Sequence, residues 1–256
     1  MLEIDSIEAC RAWLAPESDR PPAALQALDL RHVDGFVTGQ FDGSLFLGCK
    51  LTVAQAGALT AGGAVVIADD RSRPYRVHRS RLYSPEEIFD GFAADEPASV
   101  HRTFDSRVYE RFVAMGGEHT TSIAETLAQR LHDHSVSDAL HEALAGHRPV
   151  AIMGGHGVER ADPAYELVAT MARTLTRDGY LMLSGGGPGA MEATHLGAWM
   201  AHFDDAELGA ALTVLGPRAA GAPSGKEYAD DDWLHRAFAV RMRWPLDAIR
   251  YHSVGI

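Results

Sequence analysis

The chain has 256 residues, of which 46% are hydrophobic and 23% charged, the composition of an ordinary soluble globular protein with one large domain or two small ones. Its formal net charge of -12 argues against a broad nucleic-acid-binding face, so the arginine-rich stretch 71–81 is interpreted as a solvated or subunit-facing basic strand. Cys10 and Cys49 lack CxxC spacing, and neither a signal peptide nor a membrane-spanning apolar run is visible. We therefore expect a reduced, cytoplasmic protein that binds neither nucleic acid nor membrane.

Short strand-like runs characterise the first third of the sequence. Two aromatic and aliphatic runs, 35–41 and 44–48, are separated by turn residues at Asp42 and Gly43. The apolar run 64–68 predicts a buried strand.

Helix-start signals lie on both sides of that strand. Thr52 is the predicted N-cap of a short helix over 52–60, and the sequence SPEE at 84–87 has Ser at the N-cap, Pro at N1 and Glu at N3. With the linker-like residues 93–97, these elements predict a small, mixed α+β N-terminal domain over residues 1–100.

Residues 101–147 are predicted to form a helical connector between the two halves of the chain. Apolar residues recur through it at helical spacing: Ile123, Leu127, Leu131, Val136, Leu140 and Leu144. No internal repeat and no low-complexity tract is visible.

The second half begins with a pattern typical of parallel sheets. The continuous apolar run 149–153 predicts a strand buried on both faces. Asp162 and Pro163 then supply an N-cap and an N1 proline, and the strand 180–183 follows the helix. The helix carries an apolar stripe: Leu167, Val168, Met171 and Leu175. The order strand, helix, strand predicts a βαβ unit with parallel strands and a right-handed crossover.

Four more elements are predicted downstream: a helix over 188–200, a strand over 208–215, a helix over 232–243 and a strand over 249–256. This alternation predicts an α/β fold, with a doubly wound, Rossmann-like parallel sheet in residues 148–256.

Two glycine-rich stretches follow neighbouring strands and should lie side by side at the carboxyl edge of the sheet. They are the first glycine loop (154–157, GGHG) and the second glycine loop (184–189, SGGGPG). Bare N–H groups at the start of the following helix would favour phosphate there, whereas the structural alternative is a tight turn that Glu192 merely caps. The presence of two loops favours the ligand site. Its predicted phosphate- and nucleotide-binding residues are Gly154, Gly155, Ser184, Gly185, Gly186, Gly187, Gly189, Met191 and Glu192.

Two common nucleotide sites do not fit this pattern. A dinucleotide site requires G-x-G-x-x-G after the first strand and an acidic residue at the end of the second, and both are missing. Gly225 and Lys226 precede Glu227 rather than Ser or Thr, and no strand precedes them, so P-loop chemistry is disfavoured. A mononucleotide or sugar phosphate fits better, and no cofactor is predicted.

The histidines near these elements are weaker candidates. His156 lies in the first glycine loop, where it either contacts phosphate or base or faces solvent. His195 follows Met191 by one helical turn and is expected to pack or to be exposed. His132 and His134 face different sides of a helix, so no metal site is predicted.

Residues 184–193 (SGGGPGAMEA), behind a βα unit, resemble the Lonely Guy family, also labelled lysine-decarboxylase-like or Rossmann nucleotide-binding proteins. The resemblance covers residues 149–215. It implies a homo-oligomeric phosphoribohydrolase that cleaves the N-glycosidic bond of nucleoside 5′-monophosphates and releases base and ribose 5-phosphate. A carboxylate near C1′ would stabilise the positive charge that develops on the ribose during cleavage.

One family signature is missing from residues 190–256. The family carries P-G-G-x-G-T-x-x-E on a later strand, loop and helix, whose glycines hold phosphate and whose Glu is catalytic. The sequence PSGK at 223–226 is a poor echo of it. Three explanations compete: truncation of a longer protein, elements supplied by a partner, or a diverged module. We favour truncation.

Two functions remain open from the sequence. The first is a nucleoside-monophosphate N-glycosidase, complete only with the second motif; the second is a module that binds a nucleotide or sugar phosphate without turnover. The resemblance also implies an arginine ahead of the second motif, for which Arg241 or Arg243 are candidates. The weak catalytic candidates are therefore Glu192 and Arg243.

Overall fold

The computed structural model is an α/β protein with two parallel sheets. Its contacts divide the chain into an N-terminal unit, Met1–Asp90 with Phe104–Ala143, and a C-terminal unit, Gly91–Thr103 with Leu144–Ile256. The chain therefore passes from one unit to the other three times. The structure describes residues 1–15, 20–36, 39–68, 72–217, 231–246 and 253–256.

The N-terminal unit is built on a four-stranded parallel sheet in the order β1-β2-β3-β4. Its elements are β1 (Leu2–Ile4), α1 (Ile7–Leu14), β2 (Ala23–Gln26), β3 (Leu45–Leu47), α2 (Val53–Ala61), β4 (Val65–Ile67), α3 (Pro85–Ile88), α4 (Phe104–Ala114), a short 3-10 helix (Gly117–His119) and α5 (Ile123–Leu144).

The strands of this sheet recur at a nearly constant spacing that the sequence does not reveal. Glu3, Ala24, Leu45 and Val65 are in register, at successive offsets of 21, 21 and 20 residues. The next residue in each strand forms an apolar column: Ile4, Leu25, Phe46 and Val66. Apolar residues occupy this column in all four strands, although no sequence motif recurs from strand to strand.

The turn predicted at Asp42 and Gly43 is confirmed, since the Ser44 N–H donates to the Phe41 carbonyl over 2.9 Å. The apolar run before it contributes no strand among its described residues, 35–36 and 39–41. Its aromatic rings instead pack in the core, where Phe36 lies edge-on to Phe46 at 5.7 Å between ring centroids. Burial of the rings, rather than strand pairing, explains the apolar pattern.

The helix starts predicted in this unit are confirmed. Thr52 and Ser84 cap α2 and α3, each in a reciprocal capping box with the residue three positions on. The strand predicted over 64–68 is β4, but it is not buried, because it is the last strand of the described sheet and Val65 is 50% exposed.

The helix α5 is confirmed, but its predicted apolar face is wrong. Ile123 and Leu127 are 78% and 67% exposed, whereas Glu125 is 1% exposed. Arg73, Arg111 and Tyr75 bind the Glu125 carboxylate. The helix face that carries Glu125 is therefore buried through polar contacts. The same contacts occupy part of the arginine-rich stretch, of which Arg71 lies outside the described residues.

The C-terminal unit contains a three-stranded parallel sheet in the order β5-β6-β7. Its elements are a 3-10 helix (Pro97–Arg102), β5 (Pro149–Ala151), α6 (Pro163–Arg177), β6 (Leu181–Ser184), α7 (Ala190–Trp199), a 3-10 helix (Met200–His202), α8 (Asp205–Leu215), α9 (Asp231–Arg243) and β7 (Ser253–Gly255). The predicted βαβ unit is confirmed as β5-α6-β6.

The two strands predicted after α7 differ in outcome. The strand predicted over 208–215 is wrong, because this run forms all but the first three residues of α8, which Asp204 and Glu207 start with a capping box. A short apolar run does not distinguish a buried helix from a strand. The strand predicted over 249–256 is confirmed over Ser253–Gly255; residues 249–252 lie outside the described residues.

The helix α6 packs through small residues rather than through its predicted stripe. Leu167 and Met171 are 68% and 44% exposed, whereas Ala169 and Ala172 are buried. A Cβ on Gly197 of α7 would lie 2.1 Å from the Ala169 carbonyl oxygen. The two helices approach so closely that large side chains are excluded from the contact. Half of the predicted stripe therefore faces outward, whereas Val168 and Leu175 are partly buried against the core.

Candidate functional site

Both glycine loops lie at the carboxyl edge of the C-terminal sheet, and their backbones are in direct contact. The Ala190 N–H donates to the Gly155 carbonyl over 3.1 Å. Gly189 has φ 73°, and a Cβ there would lie 2.2 Å from the same Gly155 oxygen. Only glycine fits at this crossing, so the loops lie side by side as the sequence predicted.

The N-terminus of α7 has no side-chain cap. Gly189 stands at the N-cap position, and the remaining N–H groups of the first turn have no intrahelical partner. By contrast, a side-chain oxygen caps each of five other helices, the capping residues being Ser6, Thr52, Ser84, Asp162 and Asp204. Uncapped N–H groups at the positive end of a helix dipole favour a bound anion.

Gly186 is the most open residue of the second glycine loop. It is exposed, and a Cβ placed there would meet nothing within 4 Å. Gly187 is partly exposed, while Pro188 and Gly189 are buried beneath the loop. Space for a ligand is therefore found over Gly186 and Gly187.

Two of the predicted binding residues support the loop from below. The fully buried Ser184 donates its hydroxyl to the Ile152 carbonyl over 2.5 Å, and its own carbonyl accepts from the Ile256 N–H. Met191 folds against Gly185, where a Cβ would lie 2.6 Å from its sulfur. Ser184 thus links the end of β6 to the residues that follow β5 and β7.

Glu192, in the first turn of α7, forms a buried ion pair with Arg160. The Arg160 Nε and Nη2 donate to its two carboxylate oxygens over 3.0 and 2.5 Å, and the two side chains are 6% and 13% exposed. Arg160 also donates to the Trp233 carbonyl over 3.0 Å and lies over the Trp233 ring. The predicted ribose-binding carboxylate is therefore bound by a cation of the protein, which neutralises negative charge beside the second glycine loop.

Tyr165 completes this buried cluster. Its side chain is fully buried, and its hydroxyl meets no hydrogen-bond partner of good geometry among the described residues. Burial first, and then the charge of Glu192, raise the pKa of Tyr165 well above its ordinary value. A neutral phenol beside an ion pair keeps the net charge of the cluster at zero.

His195 connects the second glycine loop to the last strand. Its Nε2 lies 3.2 Å from the Gly185 carbonyl oxygen, and its Nδ1 lies 2.8 Å from the Ser253 hydroxyl. Burial lowers the pKa of His195, so the neutral ring prevails near pH 7. The prediction of a residue that merely packs overlooked these contacts, because Ser253 is 58 positions away in the chain.

The remaining sequence candidates lie in other surroundings. His156 and Gly157 are exposed in the first glycine loop, where Gly154 and Gly155 have positive φ angles. Arg243, the last residue of α9, is exposed with its guanidinium over the Trp244 ring. The echo at 223–226 lies outside the described residues.

Sequence analysis also missed an acidic concavity in the N-terminal unit. The carboxylate oxygens of Glu3, Asp138 and Glu142 lie within 4.8 Å of one another, beside a cavity of about 150 Å³ that Arg79 also lines. Glu3 comes from β1, and Asp138 and Glu142 come from one face of α5, so only the fold brings them together.

Comparisons with protein-family models, with curated proteins and with solved structures found no match. Among the helices of the described ranges, none is both long enough and apolar enough to cross a membrane.

Proposed function

We propose that the C-terminal unit is a Rossmann-like, doubly wound domain of the Lonely Guy type. It binds a nucleoside 5′-monophosphate or a sugar phosphate. The observation that carries the proposal is the uncapped start of α7 behind a glycine loop whose outer residue, Gly186, faces open space. Phosphate there would accept first-turn N–H bonds and interact with the positive end of the helix dipole.

The surroundings of the loop support an anion rather than a cation. Arg160 neutralises Glu192, so a phosphate does not meet an uncompensated carboxylate. The first glycine loop lies next to the site and presents three glycines and the exposed His156, which suits a ribose and a base.

Catalysis is a second step of the proposal. We infer N-glycosidic cleavage for a form of the protein that supplies the second carboxylate motif, because Glu192 is engaged by Arg160 and cannot act on C1′ without breaking that pair. Binding without turnover is the alternative function. It is favoured by the same ion pair, which leaves Glu192 in a supporting role.

The binding proposal is tested with AMP and inorganic phosphate by isothermal titration calorimetry. Gly186→Asp places a carboxylate in open space at an allowed backbone angle, so the fold should persist while anion binding falls at least about tenfold by charge repulsion. Gly209→Asp in α8 is the matched control, since a Cβ there also meets nothing within 4 Å. Equal affinity in both variants would contradict the assigned site.

Turnover is tested separately by incubating the protein with AMP, GMP, CMP and UMP and assaying free base. Base release that Gly186→Asp abolishes supports the hydrolase. Nucleotide binding without base release assigns the chain to the binding function.

We further propose, from composition and charge, a cytoplasmic protein that binds neither nucleic acid nor membrane and, from the family resemblance, a homo-oligomer. Sedimentation equilibrium measures the assembly directly, and a monomer at micromolar concentration would exclude it.

A further inference from the structure

His195 of α7 contacts the backbone of the second glycine loop at the buried Gly185. One ring nitrogen faces the carbonyl of Gly185, and the other faces the hydroxyl of Ser253 in β7. A carbonyl oxygen can only accept a hydrogen bond, so the Nε2 of His195 must carry a proton.

This proton determines the tautomer of the neutral ring. With hydrogen on Nε2, the unprotonated Nδ1 accepts from the Ser253 hydroxyl. Ser253 therefore holds the imidazole in the tautomer that can donate to the loop. The charge of Glu192 on α7 acts on this ring by opposing the fall in its pKa that burial causes. Arg160 neutralises the Glu192 carboxylate.

The bond to Gly185 also orients the next N–H group. In a planar trans peptide, the C=O of one residue and the N–H of the next point in opposite directions. No cis peptide occurs in the described chain. Because the Gly185 C=O points to His195, the Gly186 N–H points away from His195, and a Cβ built on Gly186 meets nothing within 4 Å.

We propose that His195, held by Ser253, is a positioning residue that aims the Gly186 N–H at the bound phosphate. This inference rests on the proposed anion site. It adds a role for two residues, separated by 58 positions in sequence, that touch neither phosphate nor nucleotide. Without His195 the peptide between Gly185 and Gly186 can rotate, because two consecutive glycines restrict it little.

Two amide substitutions that differ in reach test the proposal. The side-chain nitrogen of His195→Gln extends about as far as Nε2 and can donate to Gly185, whereas that of His195→Asn is one carbon shorter. We expect His195→Asn to weaken AMP and inorganic phosphate binding about five- to tenfold, the effect of one lost hydrogen bond, and His195→Gln to recover most of it. Ser253→Ala should weaken binding about twofold by releasing the tautomer.

Nitrogen-15 NMR supplies readouts that do not depend on a ligand. The imidazole of His195 should show the Nε2–H tautomer, and the Gly186 amide resonance should shift in His195→Asn but return toward its wild-type position in His195→Gln. Equal binding losses in the Asn and Gln variants, with unchanged Gly186 resonances, would reduce His195 to a packing role.

The two proposals fail in different ways. If the wild-type protein binds neither probe, the anion site is wrong, while the tautomer and the Gly186 resonance still report on the orientation of the loop. If the wild type binds and His195→Asn binds equally well, only the positioning role is overturned. Ser253→Ala retains the imidazole of His195 but releases its tautomer, so it provides a milder form of the same comparison should His195→Asn fail to fold.

Discussion

Both units contain a parallel sheet, but they connect its strands in different ways. In the N-terminal unit, short strands recur about every 21 residues, and β2 passes to β3 without a helix in the described residues. In the C-terminal unit, the 15-residue α6 crosses from β5 to β6 and packs on α7 through alanine and glycine.

Side chains cap helix starts in both units, and the start of α7 differs from them. In the N-terminal unit, Thr52 caps α2 directly after β3, so the N–H groups at that strand end are satisfied by the protein. In the C-terminal unit, α7 follows β6 with only Gly189 at the cap. The proposed anion site therefore depends on the uncapped helix start behind glycine rather than on the parallel strands alone.

The largest expected effect concerns the buried carboxylate of the N-terminal unit. Glu125→Gln leaves Arg73 and Arg111 without their anion, and we expect the unfolding free energy to fall by about 3 kcal/mol. Urea unfolding followed through Trp13 measures it. A loss below about 1 kcal/mol would mean that solvent compensates the arginines.

The matching change in the C-terminal unit removes the cation. Arg160→Met leaves Glu192 buried and unpaired, so stability should fall by about 3 kcal/mol and phosphate binding should weaken. The double variant Arg160→Met with Glu192→Gln should recover at least about 1 kcal/mol in a double-mutant cycle. Arg243→Met, which changes an exposed arginine, should cost less than about 0.5 kcal/mol.

Two alanine substitutions compare positions within the second glycine loop. Gly189→Ala combines a positive φ with a Cβ 2.2 Å from the Gly155 oxygen, and should cost about 2 kcal/mol and disrupt AMP binding. Gly186→Ala meets open space and should change the melting temperature little. Similar losses at both positions would contradict the described contact between the loops.

The acid limb of the stability curve should depend on Glu125. Burial opposes its ionisation, but hydrogen bonds from Arg111 and Tyr75 and the charges of Arg111 and Arg73 outweigh burial, so the pKa of Glu125 lies below its ordinary value of 4.5. The stabilisation is present above pH 4.5 and is lost as pH falls through the lower folded-state pKa. Unfolding measured between pH 7 and about 3 should therefore show a shallower acid limb in Glu125→Gln.

The smallest expected effect is a gain. Glu142 and Asp138 are like charges one helical turn apart on α5, with Glu3 close by. Glu142→Gln should raise stability by about 0.2–0.5 kcal/mol, an amount that shrinks in high salt. Destabilisation would indicate that the acidic concavity binds a cation from the buffer.

Local elements were predictable where one short stretch contains all the information. The caps at Thr52 and Ser84, the βαβ unit and the glycine loops each depend on neighbouring residues. Predictions failed where burial depends on distant partners. Leu167 seemed a core residue, but the small contacts between α6 and α7 turned it outward.

The sequence by itself determined where strands end in glycine and where a helix begins without a side-chain cap, because backbone angles and caps act within a few residues. The tertiary structure alone decided that Arg160 binds Glu192, 32 residues away, and that His195 joins Gly185 to Ser253. Such pairings depend on which strands and helices meet in space, and no local pattern encodes that choice.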